Sequence, residues 1–96
     1  MADYIIHKQD ENDFFGSLAK RDFELVEKMI NSIIKAANSK KKKIDVFNVI
    51  FFDGSSLLFS IKKENYKECL ENCIVDFEQQ EQYEKCSEIK EIIKTL

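Results

Sequence analysis

Across residues 19–38, Val26, Met29, Ile30, Ile33, Ile34 and Ala37 recur at spacings of three and four. That is the apolar stripe of a helix with one buried face. Asn38, Ser39 and the lysines after them end the pattern, and lysines there complement the negative end of the helix dipole. The period then shortens. Residues 44–52 (IDVFNVIFF) are rich in β-branched and aromatic side chains, Asp53-Gly54 follows, and residues 55–62 (SSLLFSIK) resume the pattern. This predicts a β-hairpin closed by a type I′ turn. A two-residue turn puts Phe52 opposite Ser55, Ile50 opposite Leu57, Asn48 opposite Phe59 and Val46 opposite Ile61 on the expected core face. The other face then carries Phe47, Val49, Phe51 and Leu58 beside Ser56 and Ser60, too apolar to be left in water. Two covers are available, the segment Tyr4, Ile5 and Ile6, as a third strand or folded across the sheet, or a second copy of the chain. An isolated hairpin is marginal and its open edges invite pairing. Phe47, Val49, Phe51 and Leu58 are therefore the expected self-association set of a homodimer.

The C-terminal third returns to helical spacing. Asn65 and Glu68 stand at capping-box separation, and Tyr66, Cys69, Leu70, Cys73, Ile74 and Phe77 form a stripe. A polar tract, residues 78–82, interrupts it before Tyr83, Cys86, Ile89, Ile93 and Leu96 form another. Two antiparallel helices joined at the polar tract let the stripes face each other. The expected fold is a single small α+β domain over residues 1–96: an N-terminal amphipathic helix, a hairpin with or without a third N-terminal strand, and a C-terminal helical hairpin.

Residues 81–96 (EQYEKCSEIKEIIKTL) also resemble the UVR motif of excision-repair proteins and Clp-protease adaptors. Tyr83 and Glu84 match, Cys86 and Ser87 stand where that family has two small residues, Ile89, Lys90 and Glu91 where it has Leu-Arg-Asp, and Ile92 and Leu96 follow. The likeness covers at most a third of the chain, and an ordinary amphipathic hairpin uses the same residues. It implies a helical hairpin that binds proteins and has no catalysis of its own.

Charge adds polarity to this picture. Residues 35–43 hold five lysines and no acid, whereas residues 64–96 hold nine acids against four lysines. Such a dipole can orient two copies or a charged partner before contact. Glu78, Glu81, Glu84, Glu88 and Glu91 exceed what pairing with Lys85, Lys90 and Lys94 needs, which marks them as candidate partner-binding residues. Net charge −3 and a lone arginine, Arg21, count against a general nucleic-acid binder. The alternative reading, a nucleic-acid-associated accessory protein, would use Lys40, Lys41, Lys42 and Lys43 on phosphates and hairpin aromatics for stacking.

Chemistry is sparse. Cys69, Cys73 and Cys86 all fall on apolar stripes, so they read as packing residues in a reducing cytoplasm rather than as disulfide partners or, with His7, as zinc ligands. No base accompanies a nucleophile, the carboxylates alternate with Lys and Gln as on a solvated face, and two glycines cannot build a phosphate loop. No cofactor is implied. The longest apolar run, residues 49–52, falls far short of the roughly 20 residues that span a bilayer, and the first residues lack a leader pattern. The sum is a non-enzymatic protein-interaction module with an unidentified protein partner, acting as a homodimer, with the composition of a small inhibitor or adaptor of phage or mobile-element type.

Overall fold

A computed structural model describes residues 2–96. The chain runs β1 (Tyr4–Lys8), α1 (Glu11–Ala19), α2 (Phe23–Ala36), β2 (Lys43–Phe51), β3 (Ser56–Lys62), a single 3₁₀ turn (Lys63–Asn65), α3 (Tyr66–Gln79) and α4 (Tyr83–Thr95). The class is the expected α+β, with two departures. A strand, not a helix, comes first, and α1 precedes the amphipathic helix. The sheet order is β1-β2-β3, with β1 parallel to the central β2 and β3 antiparallel to it. Tyr4, Ile5 and Ile6 thus extend the edge of the sheet instead of lying across it. The parallel pairing is made possible by the α1–α2 crossover.

The hairpin register departs from the expected one, and the cause is local. Only Gly54 of the turn has positive φ, whereas a type I′ turn needs two such residues. Gly54 N–H donates to Phe51 O and Phe51 N–H donates to Ser55 O, so Phe52, Asp53 and Gly54 form a three-residue loop with Gly54 as its left-handed member. Asp53 fastens the loop by accepting from the Ser55 amide at 2.9 Å and from its hydroxyl at 2.6 Å. Val49 therefore pairs with Leu57 and Phe47 with Phe59, one position away from the two-residue-turn register. A one-residue slip sends every side chain to the other face. Phe47, Val49 and Phe51 point into the core, covered by the chain's own helices, and Asn48 and Ile50 point outward. A bulge between Asp45 and Phe47 turns Val46 and Phe47 both inward and brings Ile44 opposite Ile61.

The core lies between this face and α1, α2 and α3. Phe14, Phe47 and Phe59 stack mutually with ring centroids 5.7–6.1 Å apart, and Phe23 meets Phe77 edge-on at 5.1 Å. Ile30, Ile33, Leu70 and Ile89 are wholly buried around them. The α2 stripe builds the core as expected, but α2 begins at Phe23, because residues 20–22 form a corner.

That corner recurs. Arg21 amide donates to Leu18 O and Asp22 amide to Ser17 O, closing α1, while Glu81 donates to Glu78 O and Gln82 to Phe77 O, closing α3. Each is a Schellman ending, with the left-handed place held by Arg21 (φ 56°) or Glu81 (φ 58°) where glycine is usual. Asp22 then caps α2 through the Glu24 amide, whereas Gln82 makes no such side-chain bond to α4. Asn65 makes none to α3 either. Its backbone is already helical, continuing the 3₁₀ turn, so the expected capping box does not form. The segment resembling the UVR motif forms one helix, α4, which pairs with α3 through Cys86 and Ile89.

Candidate interaction surfaces

Strand alternation leaves one face of the sheet without a helix over it. Across the three strands it presents Ile5, Asn48 and Leu58 in one row and His7, Ile50 and Ser56 in the next. Ile5 is 64% and Leu58 53% exposed, and Phe52, at the turn, reaches 82%. Asp45, paired with Ser60 on the adjoining row, accepts from the Ser60 hydroxyl at 2.7 Å. Of the four residues expected to self-associate, Leu58 is on this face, while Phe47, Val49 and Phe51 are core.

Beyond Asp45 the face ends in a row of two lysines. Lys43 and Lys62 are register partners, and alternation from the buried Ile44 and Ile61 places both on the open side. Like charges directly opposite are unfavourable. Lys63 joins the same end, its amide bonded to Lys42 O at 2.7 Å and its ammonium to Ser39 O at 2.9 Å. Lys40, Lys41, Lys42, Lys43, Lys62 and Lys63 are all exposed, and among the described residues none forms an ion pair. Sequence spacing could show only the first four. The other two arrive through strand pairing.

The acidic counterpart is the α3–α4 corner. Glu81, Gln82, Tyr83, Glu84, Lys85 and Glu88 line an open concavity of about 610 Å³, with Tyr83 63% exposed. Glu88 is paired with Lys85 and Glu91 with Lys94, each at 3.1 Å. Glu78, Glu81 and Glu84 have no such partner among the described residues.

Arg21, by contrast, has a structural task. Its Nε donates to the Asp76 carboxylate at 2.9 and 3.2 Å, and its Nη2 donates to the same carboxylate and to Asn72 O at 3.0 Å. Asp76 is 8% exposed. The bond holds Arg21 still more firmly protonated. No signal in residue spacing pointed to this pair.

The cysteines are set among apolar groups. Burial pushes the Cys73 thiol up to about 11, outweighing the opposing pull of Arg21, and raises Cys69 as well. Such thiols are poor nucleophiles at neutral pH. Cys86 donates weakly to Ile74 O at 3.7 Å. Among the described residues no three His, Cys, Asp or Glu side chains gather as metal ligands, and no helix is long and apolar enough to cross a membrane. Comparison of the chain with protein-family models, curated proteins and solved structures finds no match.

Proposed function

We propose that this chain is a non-enzymatic protein-binding module whose docking surface is the open face of the sheet and whose first partner is a second copy of itself. One observation carries the reading. In a chain one-third of whose residues are charged, the two rows around Asn48 and Ile50 hold no Lys, Arg, Asp or Glu, and they present Ile5 and Leu58 half-exposed or more. A sheet face that stays in water normally alternates to charged or hydroxylated side chains. Charge depletion around exposed apolar side chains is the composition of an interface core. An inhibitor or adaptor role accords with a small body carrying one such face.

The test is mass by light scattering across concentration for wild type, Ile5→Lys and Leu58→Lys. Association in the wild type, lost in both variants while each still unfolds cooperatively, is the expected result. A wild type that stays monomeric at high micromolar concentration overturns the reading.

A nucleic-acid reading gains Lys62 and Lys63 from the fold. Of its stacking platform only Phe52, at the turn, stays exposed, because Phe47 and Phe51 are buried and Phe59 is half-buried against Phe14. Salt-sensitive retention of single-stranded DNA or RNA, abolished by Lys41→Glu with Lys42→Glu, would favour it over the protein-partner reading.

A further inference from the structure

We infer that, in the self-associated form, the α3–α4 corner of one copy seats on the open sheet face of the other, with Tyr83 over the apolar rows and Glu81 and Glu84 over Lys43 and Lys62. This rests on the proposed docking face and names what occupies it. The argument begins with a defect of the isolated chain. Lys43 and Lys62 are aligned across two paired strands, on the open side, and among the described residues neither forms an ion pair with a carboxylate. Directly opposed like charges weaken a strand pair, and an anion laid over both reverses the sign of that interaction. Asp45, on the adjoining row of the face, accepts from the Ser60 hydroxyl.

The chain itself carries the complementary surface. At the α3–α4 corner an exposed aromatic, Tyr83, is bordered by the unpaired Glu81 and Glu84. Tyrosine is the residue type that anchors interfaces, being large, stiff and tipped with a hydroxyl. On the sheet the sequence of features is Lys43 and Lys62, then Asp45 and Ser60 bonded to each other, then the rows of Asn48, Ile5, Leu58 and Ile50. On the corner it is carboxylates beside an aromatic. Apolar surface meets apolar surface where basic groups meet acidic ones. Two copies related by a two-fold axis make the contact twice and close, whereas a single head-to-tail contact would leave the assembly open and growing with concentration.

The experiment is a charge swap read by light scattering and sedimentation. Variant one is Lys43→Glu with Lys62→Glu, and variant two is Glu81→Lys with Glu84→Lys. Each alone should dimerise at least about tenfold more weakly than wild type, since both contacts become repulsive. Mixed one to one, they present acid to base at both contacts again, and the mixture should recover a dimer within about threefold of wild-type affinity. Because recovery requires both variants to be folded, it also excludes misfolding as the cause of the single losses. Wild-type dimerisation should weaken with added salt. Variants that dimerise like wild type while Leu58→Lys is monomeric would overturn the charge-guided seating and leave the docking face standing. Mixing that restores nothing, or wild-type mass that climbs past a dimer, overturns it too. A monomeric wild type overturns both.

Discussion

Arg21, held in the left-handed region at the end of α1, grips Asp76 on α3, 55 positions away. The lone arginine thereby ties the first helical corner to the last helical pair. The carboxylate is nearly buried and the guanidinium half exposed, so the bond is charge-assisted but partly screened. A double-mutant cycle with Arg21→Ala and Asp76→Ala should give a coupling of about 1–2 kcal/mol by urea denaturation, above the range of ordinary surface pairs. Arg21→Lys should recover little of it, because an ammonium cannot reproduce the fork. Additive single losses would show that the pair contributes no coupling.

The two Schellman corners place different demands on the same backbone site. A non-glycine residue in the left-handed region costs roughly 1 kcal/mol, and Glu81 makes no ion pair among the described residues that offsets it. Glu81→Gly should therefore raise stability by about 0.5–1 kcal/mol. Arg21→Gly, relieving the same strain, should still lower it, because the Asp76 bond goes with the side chain. The melting temperatures of the two variants should move in opposite directions.

Buried hydroxyls give a second stabilising route. Tyr66 Oη and Ser32 Oγ are enclosed and bond to no other protein group among the described residues. Burying an unbonded hydroxyl costs on the order of 1–3 kcal/mol. Tyr66→Phe keeps the ring in the core and removes the polar atom, so denaturation should show equal or higher stability, by up to about 1 kcal/mol. A clear loss would mean that the hydroxyl is bonded in solution.

Alkaline pH should be felt through Cys73. Its thiol is pushed up by burial to about 11 from an ordinary 9.0. The folded state thus holds the proton more tightly than the unfolded chain. That contribution is whole below about pH 9 and is lost as pH rises towards about 11. Cys69 and Tyr66, both raised by burial, act in the same direction. Urea midpoints measured from pH 8 to about 10.5 should fall for the wild type and fall less for Cys73→Val. Equal slopes would remove Cys73 from the account.

Periodicity made α2, the hairpin and the two C-terminal helices legible, because each has an apolar stripe or a β-rich run. The first helix was not, since Phe14, Phe15 and Leu18 are too few to mark a period across nine residues interrupted by Gly16. The signal present was capping chemistry, with Asp10 accepting from the Asp13 amide and the Asp13 carboxylate from the Gln9 amide. The parallel placement of β1 was beyond local reading, as it depends on where the crossover returns the chain. The lysine cluster was half legible, Lys62 and Lys63 joining it only through strand pairing.

The register of the hairpin is where local reading and tertiary structure part, and it yields the sharpest prediction. Asp-Gly after a β-rich run suits either a type I′ turn or a three-residue loop with a left-handed glycine, and the dipeptide alone does not decide. Packing decides. The two-residue register would bury Asn48, Ile50 and Phe52 and expose Phe47, Val49 and Phe51, whereas the observed loop buries two phenylalanines and a valine and leaves the amide and Phe52 outside. Each buried phenylalanine contributes on the order of 1.5–3 kcal/mol. Phe47 and Leu58 share a face in the two-residue register and lie on opposite faces in the observed one. Phe47→Ala should accordingly cost about 3–5 kcal/mol and threaten folding itself. Leu58→Lys, at a position 53% exposed, should change stability by no more than about 0.5 kcal/mol. Gly54→Ala should cost about 1 kcal/mol, because φ at that position is +87°. Chemical denaturation of the three variants at a concentration low enough to keep the chain monomeric checks the set, and a Phe47→Ala protein as stable as Leu58→Lys would reverse the face assignment.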